Sequence, residues 1–446
     1  MDIIIAGDGE VGLYLAEALV DSNHNITIVD PHEDLIKMVE SHTDLMAITG
    51  DSTSIKTLQR ANVRHADLVI SVLHDEHINL LTTILAKKLG AKKVIARINT
   101  MENLSPENRR TYQELGIDTL VSPEDIAAQE IISLLEQTAA TEVFDFSEGK
   151  LQVFMIKLDH KAKVLNMSLD DVFKEYKHLD FRALAIHRHR RTFIPRGKDV
   201  FREGDLAYII TKSQAIEDLL TLSGKTPVNI RSAMIIGGGR VGRITAKRLE
   251  NLIDVKLIEK DRERCLSLTD FLDKTLIING DATDINLLED EDIGNIDAFI
   301  AVTNSTETNI LTCLQARSSG VKKTIALVEN INYIDISQNI GIDTIINKKL
   351  IAASHMVRYT MGAEVTSLRF LRGIQADTLE LVAQPGSDVT KRPISRLKIP
   401  EGAIIGGIVR NDESYIALAD FQIEAGDKVV VLALPQSIHK IEKIFV

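Results

Sequence analysis

The chain has 446 residues, 44% apolar and 26% charged, the composition of ordinary globular protein and enough for about three domains. A net charge of −12 argues against a nucleic-acid surface, which needs clustered Lys and Arg to neutralise phosphates. With no basic leader and no long apolar span, the chain is expected to be cytoplasmic, neither secreted nor membrane-spanning.

In chain order, an apolar run (Ile3-Ile4-Ile5-Ala6) leads into Gly7-Asp8-Gly9-Glu10-Val11-Gly12 and then an amphipathic stretch carrying Leu13, Leu15, Ala16 and Leu19. This is the strand–turn–helix setting of a dinucleotide fingerprint. The first glycine allows a tight turn, the second lets backbone approach a diphosphate, and the third lets the helix pack on the strand. The helix N-terminus then offers free N–H groups to phosphate. Strands are predicted near 2–6, 26–30, 46–49, 67–72, 93–97 and 118–121, separated by helical runs, which implies a parallel sheet with right-handed crossovers.

The strand ends carry the candidate chemistry. Asp30, 18 residues beyond Gly12, is placed to accept bonds from ribose hydroxyls and to repel a 2′-phosphate. Gly50-Asp51-Ser52 lies where adenine should sit; Asp51 either accepts the adenine amino group or caps the next helix. Leu73-His74 follows the fourth strand on the rim facing a nucleotide. Asp75-Glu76 opens a helix and reads as a solvated first turn. Arg97 ends the fifth strand, suited to a charge-assisted diphosphate contact, with a structural ion pair as the alternative. Ser122-Pro123-Glu124-Asp125 then starts a helix whose apolar positions Ile126, Ala127, Ile131, Leu134 and Leu135 suit either a swapped partner or its own sheet.

All of this returns 230 residues later. Met234-Ile235-Ile236 leads into Gly237-Gly238-Gly239-Arg240-Val241-Gly242 and a second amphipathic stretch with Ile244, Ala246 and Leu249. Glu259 ends the second strand, Gly280-Asp281-Ala282 repeats the Gly-Asp pair, and Thr303-Asn304 repeats the rim. As with Asp51, Asp281 either meets adenine or caps the next helix. Asn79 aligns with Asn309 and Gly90 with Gly320. Gly116-Ile117-Asp118-Thr119 returns as Gly341-Ile342-Asp343-Thr344 after a loss of five residues. Arg97, however, meets Leu327, so the sites are unequal.

A second repeat aligns 185–205 with 407–427, matching Arg188 with Arg410 and Gly204-Asp205 with Gly426-Asp427. Both segments read as hairpins, about turns His189-Arg190-Arg191 and Asn411-Asp412-Glu413, closed by helices at 213–222 and 435–444. The expected fold is therefore α/β, with Rossmann domains at 1–140 and 230–360 and small α+β domains at 141–225 and 361–446. The hairpin run from His187 to Arg191 lacks a third metal ligand in sequence. Cys265 and Cys313 suit a buried apolar role. Tyr208 and Lys212 have the spacing of a helical dehydrogenase pair but fall in a β run. No GxSxG, HExxH or P-loop lysine occurs, so no enzyme activity is expected. Two other classes use such folds: a dehydrogenase needs a catalytic acid or base in a substrate lobe, and a redox-sensing repressor needs a basic DNA-binding segment.

The two glycine fingerprints, Asp30 and Glu259, both Gly-Asp pairs, Arg97 and the two Gly-Asp hairpins make the whole chain similar to the TrkA family. Its members are peripheral nucleotide-binding subunits of bacterial Trk potassium uptake systems. The resemblance implies two tandem RCK units, each a Rossmann (KTN) lobe followed by a small C-terminal lobe. It implies NAD(H), ATP and ADP as ligands, and a homo-oligomeric gating ring docked beneath the membrane channel subunit TrkH. Membrane contact then comes only through that partner. Leu327 departs from the pattern and puts a triphosphate at the second site in doubt.

Overall fold

The computed structural model describes residues 1–446 apart from 8–9, 21–23, 34–44, 137–141, 178, 189–190, 225–229, 331, 341, 361–363 and 372–375. The chain divides into two compact units, residues 1–126 with 348–361 and residues 127–347 with 362–446.

The first unit is built on β1 (Asp2–Ala6), β2 (Asn25–Asp30), β3 (Met46–Thr49), β4 (Leu68–Ser71), β5 (Lys93–Arg97) and β6 (Thr119–Val121). They form one parallel sheet in the order β3-β2-β1-β4-β5-β6. Ile3, Ile4, Ile5 and Ala6 are all buried, as a strand covered by helices on both faces requires. Order reverses between β1 and β4, the crevice where α/β sheets bind ligands. Helix Glu76–Leu89 starts at the Asp75 N-cap and stops at Gly90, whose φ of +118° suits glycine.

Helix Lys348–Val357, from the end of the second repeat, belongs to this unit and packs on helix Glu10–Val20. Helix Pro123–Glu136 passes into the second unit after Ile126, where Gln129 accepts a bond from Arg248.

The second unit holds three sheets. One is antiparallel, from β7 (Glu142–Phe146), β8 (Leu151–Lys157), β9 (Phe181–Arg188), β10 (Arg191–Phe193) and β11 (Leu206–Thr211), in the order β10-β9-β11-β8-β7. The next repeats the parallel sheet, with β12 (Ser232–Ile236), β13 (Asp254–Glu259), β14 (Leu276–Asn279), β15 (Ala298–Ala301), β16 (Lys323–Leu327) and β17 (Thr344–Ile346) in the order β14-β13-β12-β15-β16-β17. The last is antiparallel, from β18 (Val365–Phe370), β19 (Asp377–Val382), β20 (Ala403–Arg410), β21 (Glu413–Ile416) and β22 (Lys428–Ala433), in the order β18-β19-β22-β20-β21. The architecture is thus two Rossmann-type sheets, each followed by an antiparallel sheet of repeated topology.

The antiparallel sheets share a core in which Leu151, Leu184, Tyr208 and Ile210 of one meet Ile404, Val430 and Leu432 of the other. Gly406 and Gly407 permit that approach: a Cβ on either would come within 2.8 Å of Leu184 or Leu151. The hairpin between β20 and β21 turns on Asn411 and Asp412, with φ of 47° and 70°, as a two-residue turn of this type demands. Its counterpart turn, His189-Arg190, lies outside the described residues. In each module an arginine forks onto the Gly-Asp aspartate. Arg188 reaches Asp205 at 2.6 and 2.7 Å. Arg410 reaches Asp427 at 2.8 and 2.7 Å.

Candidate functional site

The second glycine turn is described completely. Gly237 follows β12 with a φ of +100°, a left-handed backbone that a side chain resists. A Cβ on Gly242 would stand 1.9 Å from the Gly237 carbonyl oxygen, so the third glycine lets the helix seat on the turn. Gly239 is the N-cap of helix Arg240–Leu249, and a Cβ there would meet nothing within 4 Å. Gly239 thus leaves open space at the helix N-terminus, the end of a helix that accepts an anion. Gly238 turns its amide onto Glu259 Oε2 at 2.8 Å. Val241 is buried beneath the turn and Arg240 is exposed.

In the first copy a Cβ on Gly7 would lie 3.1 Å from the Cα of Gly12, the same close seat. Glu10 and Val11 open helix Glu10–Val20, while Asp8 and Gly9 lie outside the described residues.

Both strand-end acids are buried and held by the turn that follows. Asp30 Oδ1 accepts from the His32 amide at 2.7 Å. Glu259 Oε1 accepts from Asp261 N at 2.9 Å, and Oε2 also meets Arg264 Nη1 at 3.3 Å. A carboxylate has about four acceptor sites, so ribose hydroxyls can be added to these bonds.

The Gly-Asp pairs settle one open alternative. Asp51 accepts from Thr53 N and Oγ1, both at 2.8 Å, and Asp281 accepts from Thr283 at 2.9 and 2.8 Å. Those bonds hold the Asp281 carboxyl below its ordinary range. Neither aspartate caps the next helix: Ser54 and Asp284 do. Ser52 is buried and its hydroxyl pairs with that of Thr82 at 2.9 Å.

At the rim, Leu73 is buried, His74 and Asn304 are exposed, and Thr303 is half-buried. Two residues that sequence reading matched only as a repeat build this rim. Asn79 accepts from Leu73 N at 2.8 Å and donates to the carbonyls of Leu73 and Arg97. Asn309 does the same for Thr303 and Leu327. Each amide ties the end of one strand to the next.

Glu76 corrects an expectation. It is buried, accepting from the amides of Asn99 at 2.7 Å and Thr100 at 2.9 Å and from the Thr100 hydroxyl, where a solvated turn was expected. Burial pushes its carboxyl up, but those bonds outweigh it and hold it below the ordinary range. Arg97 meets Glu124 at 3.4 Å, both nearly enclosed.

In the second copy, Gly237, Gly239, Glu259, Asp281, Thr303 and Asn304 line one cavity of about 340 Å³, whereas Gly238, Arg240, Val241 and Gly242 lie outside its lining. Lys260 and Arg264 also line it and were missed, since neither falls in a glycine motif. Among the described residues no group of three His, Cys, Asp or Glu could hold a metal, and no helix is long and apolar enough to cross a membrane. His187 bonds Thr192, Tyr208 is buried in its sheet and Lys212 pairs with Asp180. Cys265 and Cys313 are buried, and burial pushes both thiols up.

Comparison with known proteins agrees with this duplication. The TrkA-N domain matches residues 3–123 and 233–348, and the TrkA-C domain matches 153–224 and 379–446. The Trk system potassium uptake protein TrkA of Haemophilus influenzae is 32% identical over 451 residues, spanning 100% of this chain and 98% of the relative. A TrkA homolog of Archaeoglobus fulgidus is 34% identical over 448 residues, spanning all of both chains. Among solved structures, the GsuK RCK domain superposes with a TM-score of 0.61 at 17% identity, covering 100% of this chain and 94% of that one. The GsuK channel bound to NAD gives 0.61 at 16% identity, covering 100% and 78%. GsuK bound to ADP gives 0.51 at 15%, covering 80% and 68%. At these identities the likeness to the solved structures is one of fold.

Proposed function

The chain belongs to the TrkA family of potassium uptake proteins, and from that premise we propose that it is a nucleotide-sensing gating subunit. It binds NAD(H), ATP or ADP in its two Rossmann lobes, at Gly7–Gly12 with Asp30, Asp51 and Arg97, and at Gly237–Gly242 with Glu259 and Asp281. It does so as a homo-oligomeric ring on the cytoplasmic face of a TrkH-type membrane subunit. The observation that carries this reading is the duplicated cradle: a glycine turn opening a helix beside a buried strand-end carboxylate. Solved GsuK structures of the same fold carry NAD in one case and ADP in another, which supports the ligand class.

The ligands are held and not transformed. Glu259 is engaged by Gly238, Asp261 and Arg264, so the acid beside the second cavity serves to position. Gating follows if nucleotides bind two arrangements of the lobes with different affinity. Moving a gate from mostly shut to mostly open needs about 5.5 kcal/mol of such difference. One charge-assisted contact supplies about 1.5–3 kcal/mol, so several copies in a ring must act together. Calorimetric titration of the full chain with NAD, ADP and ATP tests the binding step. Saturable binding with the nucleotide recovered intact is expected; no binding of any adenosine compound, or steady turnover, refutes it.

A further inference from the structure

The second cavity carries its charge at one end. Glu259 ends β13, Lys260 follows it, Arg264 stands in the first turn of helix Arg262–Thr269, and Asp281 lies just beyond β14. On the other side of β12, beyond β15, the lining is Thr303, Asn304, Ser305 and Thr308, hydroxyls and an amide without charge. The charged end is the side of the strand-end acid and the Gly-Asp pair, where the ribose and its base belong.

The first copy places its cation differently. Aligning Glu259 on Asp30 sets Pro31 against Lys260 and Leu35 against Arg264. Its arginine is Arg97, at the strand edge proposed above to meet phosphate, where the second copy has Leu327.

Both cations of the second cavity are held in place. Asn279 donates to the Lys260 carbonyl at 3.1 Å, and after the Thr283 bonds the Lys260 charge also lowers the Asp281 carboxyl. The Asp261 N-cap accepts from the Arg264 amide at 3.1 Å, and the Arg264 guanidinium meets Glu259 at 3.3 Å. Glu259 is 5% exposed and Arg264 46%, so the guanidinium is anchored at the ribose acid and still open to a ligand. A 2′-phosphate suits this end poorly, since it would be set against the Glu259 carboxylate. A flat base suits it well: bases stack on guanidinium planes, and cations are drawn to ring faces.

We propose that Arg264 is a binding residue of the second nucleotide site, covering the adenine base, and that this site reads the adenosine half of its ligand and not the number of phosphates. The proposal rests on the nucleotide reading above.

Full-length chain titrated calorimetrically with AMP, ADP and ATP tests it, the phase that weakens in Gly239→Ala marking the second site. In Arg264→Ala that phase should weaken roughly tenfold, the scale of one cation–ring contact, and by the same factor for all three ligands. Arg264→Lys keeps a charge beside Glu259 but loses the plane, and should stay as weak. Wild type should bind NAD there more tightly than NADP. Unchanged affinity in Arg264→Ala, a loss that grows with phosphate number, recovery in Arg264→Lys, or tighter binding of NADP overturns the inference and leaves the nucleotide reading standing. A wild-type chain that binds no adenosine compound overturns both.

Discussion

Exchanging Gly239 for alanine adds one methyl group at the N-cap of helix Arg240–Leu249, where φ is −65° and ψ is −172°. That backbone is open to any residue, and an ideal Cβ there meets no heavy atom within 4 Å. Removing a glycine stiffens the unfolded chain and stabilises by about 0.4–1 kcal/mol. Alanine is a poorer N-cap than glycine, which costs a comparable few tenths to about 1 kcal/mol. The two nearly cancel, so the unfolding midpoint should move by less than about 2 °C. Binding is a different matter. The second glycine of such a turn lets backbone approach a diphosphate, and a Cβ there takes up part of that open space and holds the phosphate off its charge-assisted bonds to the turn. Losing one such charge-assisted bond, at about 1.5–3 kcal/mol, weakens affinity roughly 10- to 150-fold. Calorimetry with NAD or ADP, beside thermal unfolding, should show one site per chain lost and the fold kept. Wild-type affinity at both sites in Gly239→Ala refutes the cradle; a midpoint several degrees lower refutes the claim of open space.

Gly242→Ala should do the reverse, since its Cβ would stand 1.9 Å from the Gly237 carbonyl and both partners are backbone. A loss of about 3 kcal/mol in denaturant unfolding is expected. Glu250 is buried and receives the amides of Asp273, Lys274 and Thr275 at 3.1, 3.0 and 3.2 Å. Burial pushes its carboxyl up, yet the bonds from Lys274, Lys247, Asp273 and Thr275 hold it at about 2 against an ordinary 4.5. A carboxyl lowered in the folded state stabilises above its unfolded value, here by up to about 3 kcal/mol. The advantage of wild type over Glu250→Gln in urea unfolding should therefore shrink as pH falls from 4.5 toward about 2. Arg410→Lys loses the fork onto buried Asp427 and should destabilise by about 2 kcal/mol, read by thermal unfolding, with nucleotide affinity at the second cavity unchanged.

The parallel strands were legible because each is a short apolar run, buried on both faces at the centre of the sheet, and β2, β4 and β6 lie within one residue of their expected bounds. The glycine turns were legible because their spacing has one geometric meaning. Side-chain partners across the fold were not. The repeat aligned Arg188 with Arg410 and Asp205 with Asp427, yet nothing in it said that residues 17 apart would fork together across a hairpin. Asn79 and Asn309 hid in the same way, as repeated polar residues whose four bonds go to strand ends folded back on them. An acid at a helix start is ordinarily solvated, so Glu76 gave no sign of the Asn99–Thr100 amides that bury it. The helix at 123–136 showed its apolar breadth, but which sheet covers it is a tertiary fact.

The most direct test is ion flux. Vesicles holding a Trk membrane subunit with this chain bound should pass potassium or rubidium at rates that differ among ATP, ADP and NADH, each recovered unaltered afterwards. Equal flux with every nucleotide and with none contradicts the account.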